Sequence, residues 1–370
     1  MFPDRHLPAE RLRKLPSAPG LWPIVAEWAN FANDSRLRRQ TPYNFKRNHK
    51  SRSSLRKSLF SLAGNRLTTI LFHRFFFEGE SVEYSRDRLK RQCEWLRRWF
   101  NPVTLSEATG GFSSDTLPGN PILVTIDDAK VEVLSVLDIF ESFSIPISIF
   151  ACVGWCAQEE PYDGDLNLSL ARLVADIEWY RGPPMTILAG RERFVLGEGV
   201  QAADTIDRLL KWVFSEQLDS RKLAKISVSE SVGRRNTTCT LRELADAKSP
   251  RVAVEAHSIS HINLAKASDI RVTYEISGSR RILVESVGEC NAFAYPYGMA
   301  GTFNSATSSK LLEAGFSSAF LSHSDFAGPD TDRFHLPRIT MPDRPMSHAE
   351  FCIRVAGAGV LYGTLKRTFS

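Results

Sequence analysis

The chain is 370 residues long, 43% apolar and 24% charged. That is the apolar share of a folded globular chain, and it excludes a wholly disordered, collagen-like or disulfide-knotted protein. No stretch of about 18 uncharged apolar residues occurs, which excludes a transmembrane helix. The opening MFPDRHLPAERLRKLPSAPG lacks the apolar core of a secretory signal, so a cytoplasmic location is expected.

The net charge of +5 is local. Nine Lys/Arg and no acid lie between Arg36 and Lys57, and outside them 38 bases face 42 acids. Such a run is either a solvated lead-in or a patch for anionic headgroups or a phosphate-bearing carrier, giving peripheral membrane contact. A nucleic-acid partner is not expected, since only Tyr43 and Phe45 are interleaved and no helix-turn-helix or zinc-finger spacing accompanies them. Six cysteines without a C-x-x-C pair read as reduced, buried thiols, and Cys152-x₃-Cys156 is a poor zinc signal.

Residues 1–66 read as a basic N-terminal extension and 67–345 as the folded body, with a long insertion over about 154–240. Residues 346–370 read as a C-terminal tail. Within the body, LTTILFH (67–73) is a strand ending in a histidine, and a helix follows around 85–100. PILVTIDDA (121–129) is a continuous apolar run ending in two carboxylates, as a buried parallel strand does at its exit. Residues 131–143 predict a helix and 145–153 a buried strand. The insertion shows helical pieces at 168–179 and 202–214 but no chemistry-bearing cluster. Helix at 241–246, strand at 251–257, helix at 267–287, strand at 290–298, helix at 305–315 and strand at 316–322 then follow. This alternation predicts a parallel α/β sheet, and no internal repeat suggests a solenoid.

Three strand ends carry unusual polar residues. Asp127 and Asp128 are adjacent carboxylates whose repulsion a cation would offset. His257 and His261, in HSISH, are four apart, expected on one side of a first helical turn, a spacing that lets two imidazoles share a metal. In Phe293-Ala294-Tyr295-Pro296-Tyr297-Gly298 a proline ends the strand and a glycine permits close approach of a neighbouring chain or ligand. Loops after parallel strands gather on one face, where one carboxylate and two imidazoles make a three-ligand site with open positions. The second carboxylate is then free to act as base.

TIDDA, HSISH and FAYPYG resemble the first three motifs of the polysaccharide deacetylases, the NodB-homology carbohydrate esterases. ILFHRF, EWLRRWF, TLRELAD, YEISGSRRIL and HLPRI resemble the framework of its bacterial surface-glycan members, so the likeness runs over roughly 67–340. The resemblance implies a distorted (β/α)7 barrel and metal-dependent removal of an N-acetyl or N-formyl group from an amino sugar. The substrate implied is a cell-surface polysaccharide or a lipid- or nucleotide-linked sugar. It implies Asp128, His257 and His261 as ligands of a divalent metal, most simply Zn2+, with Co2+, Ni2+ and Mn2+ as alternatives. Asp127 becomes the base, and a backbone N–H near Pro296 and Tyr297 the oxyanion donor. The general acid is left open among His323, His335 and His73, of which His323 lies in the loose late-motif echo Leu321-Ser322-His323 and His73 also suits a pocket-lining role. Two departures stand out: Ala129 replaces the glycine of the first motif, and Ala294 stands where many members have an arginine that braces the base. Arg338 of HLPRI is the expected substitute. A degenerate barrel that binds glycan or a partner without turnover is the alternative.

Overall fold

The computed structural model describes residues 66–111, 116–157, 165–180, 185–189, 192–196, 202–215, 237–357 and 360. The basic run 36–57 and nearly all of the N-terminal extension lie outside these residues.

Short apolar, β-branched runs form the strands: β1 (Thr68–Phe72), β2 (Asn101–Pro102), β3 (Pro121–Asp127) and β4 (Ile147–Ala151). After a separate hairpin, β5 (Met185–Ala189) with β6 (Glu192–Leu196), come β7 (Val252–Ala256), β8 (Ala292–Ala294), β9 (Ser318–Phe320) and β10 (Ile339–Thr340). Every residue of β1, β3 and β4 is buried, which is why these strands read as continuous apolar runs rather than alternating ones. Burying an Ile, Leu or Val side chain stabilises by roughly 1.5–3 kcal/mol, so these three strands anchor the domain.

The main sheet is parallel, in the order β10-β1-β3-β4-β7-β8-β9, with β2 paired to β3 at its start. It curls into an open barrel of the distorted (β/α)7 type. The chain leading into β10 pairs with β9: Leu321 N–H donates to Leu336 O at 2.8 Å and Arg338 N–H to His323 O at 3.0 Å. That seam carries Arg338 to the barrel interior.

The helix Val82–Trp99 is capped by Ser81, whose side chain accepts from Tyr84 N–H, and it buries Leu89, Cys93, Trp95 and Leu96. The expected helix at 131–143 begins instead as a 3₁₀ segment, Val131–Val136, and becomes α-helical only at Leu137–Ser142. Residues 267–287 form Asp269–Thr273, a π-helical turn Tyr274–Gly278, and Ser279–Val287. The described part of the insertion contains the helices Leu166–Glu178 and Ala202–Ser215, and the hairpin β5–β6 between them was not anticipated. In 346–370 the helix His348–Val355 packs Phe351 against Phe72 and Trp95. Among the described residues, no helix is long and apolar enough to cross a membrane.

Candidate metal and catalytic site

Because the strands are parallel, the residues just past β1, β3, β4, β7 and β8 meet at one rim. At the end of β3 the chain turns sharply. Asp127 is the last strand residue, and Asp128 and Ala129 follow with φ of 69° and 47°. Ala129 is fully buried in a left-handed conformation that glycine adopts more cheaply, so the alanine is accepted at the cost of some strain.

His257 Nδ1 lies 2.8 Å from Ala294 O. A carbonyl can only accept, so Nδ1 carries a proton, and in the neutral imidazole Nε2 is the nitrogen with the free lone pair. That Nε2 is 3.8 Å from Asp128 Oδ1, and His261 Nε2 is also 3.8 Å from the same oxygen. Asp128 Oδ1 is buried without a hydrogen-bond donor. A bare carboxylate oxygen with two imidazole nitrogens each about twice a metal–ligand bond away suits a divalent cation, while the donors that all lie within 4.8 Å of one another are those of Asp128, His257 and Cys152. The proton energetics agree. Burial and the neighbouring His257 push the His261 imidazole down to about 4, leaving it neutral near pH 7. Burial opposes the charge of Asp128, but His257, His261 and Lys130 outweigh it and hold the carboxyl below its ordinary range.

The route to this convergence differs from the expected one. HSISH is not the first turn of a helix. It is a loop in which Ser258 and His261 have φ of 65° and 55°, and the next helical turn begins at Leu264. Two left-handed residues, rather than helical spacing, aim both rings at Asp128.

Asp127 is buried and gripped by Arg338. Nη1 donates to Oδ1 and Nη2 to Oδ2, each at 2.7 Å, while Nε donates to Leu321 O at 2.7 Å. Arg338 is itself fully buried and lies over the Phe150 ring. Burial pushes the Asp127 carboxyl up, but the guanidinium, helped by His257, more than reverses this and holds it at about 2. His257 Nε2 is 3.7 Å from Asp127 Oδ2, so Asp127 stands beside the proposed ligands.

The remaining candidates separate. Pro296 is buried, and Tyr297, half exposed with φ 62°, sets its ring edge-on to His261 at 4.7 Å. Gly298 fulfils the close approach expected of it: a Cβ there would lie 2.4 Å from Ser322 N, in the loop after β9. His73, just past β1, lies close enough to both Asp127 and Asp128 to favour their charged forms. Its buried Nδ1 is 3.8 Å from Asp343 Oδ1, beyond β10. His335 is engaged elsewhere, with Nδ1 2.7 Å from Asp332 Oδ2 and Nε2 3.4 Å from Ser308 Oγ. His323 is exposed, and its carbonyl accepts from the N–H of Arg338, the residue that grips Asp127.

Lys130 and Asp343 at the site were not singled out from sequence, and Cys152 was read there only as part of a poor zinc signal. Cys152 Sγ, just past β4, lies within 4.8 Å of donor atoms of both Asp128 and His257 and donates to His257 O at 3.2 Å. Burial, with Asp128 beside it, pushes the thiol well up. Lys130 Nζ is 3.1 Å from Asp128 Oδ2. Asp343 faces His73. Each lies within three residues of a strand exit, and that position was the available signal.

No family model and no curated protein sequence matches the chain. Solved structures do. Streptococcus pyogenes deacetylase PplD, in complex with acetate, is 14% identical, with a TM-score of 0.51 over 79% of this chain and 98% of that one. IcaB from Ammonifex degensii is 18% identical, with a TM-score of 0.48 over 80% of this chain and 98% of that one. The BpsB deacetylase domain from Bordetella bronchiseptica is 14% identical, with a TM-score of 0.46 over 75% and 96%. The strand order, the rim that gathers Asp127, Asp128 and His257, and the PplD match agree: the fold of this chain is that of the NodB-homology polysaccharide deacetylases.

Proposed function

We propose that this protein is a metal-dependent amidohydrolase that removes an N-acetyl or N-formyl group from an amino sugar in surface-glycan or lipid-linked glycan assembly. One observation carries the reading: Asp128 Oδ1, buried and without a donor, faces the Nε2 atoms of His257 and His261, next to a second carboxylate that Arg338 keeps ionised. Asp128, His257 and His261 would hold the cation, most simply Zn2+. A divalent ion there supplies Lewis-acid polarisation of the amide carbonyl and lowers the pKa of water.

The chain's own residues divide the remaining work. Asp127 accepts the proton of the attacking water, and its two bonds from Arg338 fix which lone pairs it presents. The backbone turn at Pro296 and Tyr297 is the proposed donor to the oxygen that gains charge. His73 returns a proton to the leaving amine, since it lies close enough to Asp127 and Asp128 to act on their charge, whereas His335 is tied to Asp332. Asp343 orients His73 from 3.8 Å, a separation of the kind that tightens when substrate binds. The basic run 36–57 suits a phosphate-bearing, membrane-bound carrier, and unchanged binding to anionic vesicles after deletion of 1–60 would remove that link.

Elemental analysis tests the reading together with acetate release from an acetylated glucosamine oligomer. Stoichiometric divalent metal is expected in the wild type and in Asp127→Asn, but not in Asp128→Ala, with turnover in the wild type alone. A wild-type protein that holds no metal overturns the proposal. One that holds metal but releases no acetate or formate is the non-catalytic glycan-binding barrel instead.

A further inference from the structure

The loop bearing both histidines is held from beneath by one buried carboxylate. Glu275 Oε2 accepts from Ile259 N–H at 2.7 Å and Ser260 N–H at 2.9 Å. Its Oε1 accepts from Ser260 Oγ at 2.5 Å and from Arg271 Nε at 2.8 Å. Glu275 is 0% exposed and Arg271 2%. A buried carboxylate is costly unless its lone pairs are met, and here four donors meet them. Two of those donors are the successive peptides midway between His257 and His261.

Glu275 sits in the π-helical turn Tyr274–Gly278. One additional residue in a turn rotates the following helix face by about 100°, and π-turns recur at functional sites for this reason. Arg271 and Glu275, four residues apart, share the helix face toward the loop, and the helix beyond the turn keeps Ile282 and Leu283 in the core.

The network does not end within the barrel. Arg271 Nη2 donates to Ser260 Oγ at 2.7 Å and to Glu178 Oε2 at 3.3 Å, and Trp179 Nε1 donates to Ser260 O at 3.0 Å. Glu178 and Trp179 close the insertion helix Leu166–Glu178. Trp155, at the insertion's start, stacks on His261 at 5.4 Å and meets Trp179 edge-on at 6.1 Å. Gly154 N–H donates to Ile259 O at 2.9 Å, and a side chain at Gly154 would collide with that oxygen. The insertion therefore grips the peptides next to the histidines.

We infer that Glu275 and Arg271, completed by Glu178 and Trp179, are positioning residues for the His257–His261 loop, and that the insertion supports the proposed metal centre. The inference rests on the proposed function for what the loop holds, but the packing it concerns can be measured without metal.

The test uses the full chain and the variants Glu275→Gln and Trp179→Phe, the second keeping an aromatic ring while removing the donor to Ser260 O. Zn2+ affinity is expected to fall about 10–100-fold in Glu275→Gln, the usual range for lost outer-shell partners, and less in Trp179→Phe. The ligand-field spectrum of bound Co2+ should change in both. Hydrogen exchange over 257–263, followed in metal-free protein, should be slow in the wild type and fast in both variants, while circular dichroism and the melting transition report the fold. Should Glu275→Gln fail to fold, Trp179→Phe and Glu178→Gln decide the matter. Folded variants with wild-type exchange in this loop overturn the inference, as do unchanged Zn2+ affinity and Co2+ spectrum. A wild type that binds no metal counts against the proposed function alone, and loop exchange still decides the positioning role.

Discussion

Arg338 and Asp127 lie 211 residues apart in sequence and meet through two parallel N–H···O bonds of 2.7 Å inside the barrel. The position where an arginine was expected holds Ala294, whose carbonyl orients His257 instead. The guanidinium that braces Asp127 thus arrives from the seam before β10.

Replacing Arg338 by Lys keeps the charge but loses the fork and the Nε bond to Leu321 O. Asp127 would then rise from about 2. A carboxylate that is less stabilised takes up a proton at higher pH, so the acid limb of kcat/KM should move up in pH, with kcat falling by about 10². Arg338→Met would leave Asp127 buried and unpaired, at a cost of about 3 kcal/mol. In the wild type the pair's contribution to stability is present above the carboxyl's ordinary pKa and is lost as pH falls toward about 2. Rate profiles and thermal melts across pH check both statements, and an unmoved acid limb in Arg338→Lys would count against Asp127 as the base.

His73→Gln should lower kcat by about 10²–10⁴, the range for a lost general acid, while metal content stays unchanged. Asp343→Asn should have a smaller effect in the same direction. An acetyl ester with a phenolic leaving group needs little protonation, so the deficit of His73→Gln should shrink on that substrate. Equal losses on amide and phenyl ester would assign His73 to binding instead.

The alternation of strands and helices was legible because buried parallel strands such as PILVTID are continuous apolar runs bounded by polar turns. The closeness of Asp127, Asp128, His257 and His261 was legible because each lies at, or within a short loop of, the end of a strand that could be read. Less legible was how they meet. Residues 257–261 have the spacing of a helical turn, but Ser258 and His261 adopt left-handed conformations that Glu275 stabilises through contacts 15 and 16 residues away. Arg338 was found only because a known pattern had a gap to fill. Asp343 carried no motif, Cys152 carried only a weak cysteine spacing, and the β5–β6 strands, MTILA and ERFVL, are too short to leave a period-2 signal.

Gly298→Ala tests the fit between the rim loops. Gly298 has φ 58°, and an added Cβ would meet Ser322 N at 2.4 Å and Ser322 Oγ at 2.7 Å. Ser322 N, like Leu321 C at 3.0 Å, is a backbone atom that no rotamer change can clear, and the bond from Ser322 N–H to Gly298 O would stretch. We expect a loss of roughly 2 kcal/mol from backbone strain together with the clash, and a higher KM because Tyr297 is its neighbour. A melt within error of the wild type would show that the two loops can part without cost.

Glu255 lies on β7 two residues before His257, against the start of β8, and its titration should show in stability. It is buried on β7 and accepts from Asn291 N–H and Ala292 N–H, each at 2.7 Å. Burial pushes its carboxyl up to about 7, and those two donors only partly offset the shift. A carboxyl that holds its proton more tightly when folded stabilises the fold fully below its ordinary pKa of 4.5, and that contribution drains away as pH rises to about 7. The difference corresponds to roughly 3 kcal/mol at one pH unit per 1.4 kcal/mol. Glu255→Gln keeps an oxygen for both backbone donors and removes the charge. Denaturant unfolding at pH 5 and pH 8 should show the wild type losing stability between them and the variant holding level, so that the variant is the more stable protein at pH 8. Parallel pH dependence in the two proteins would mean that Glu255 is ionised throughout and that its two backbone donors outweigh its burial.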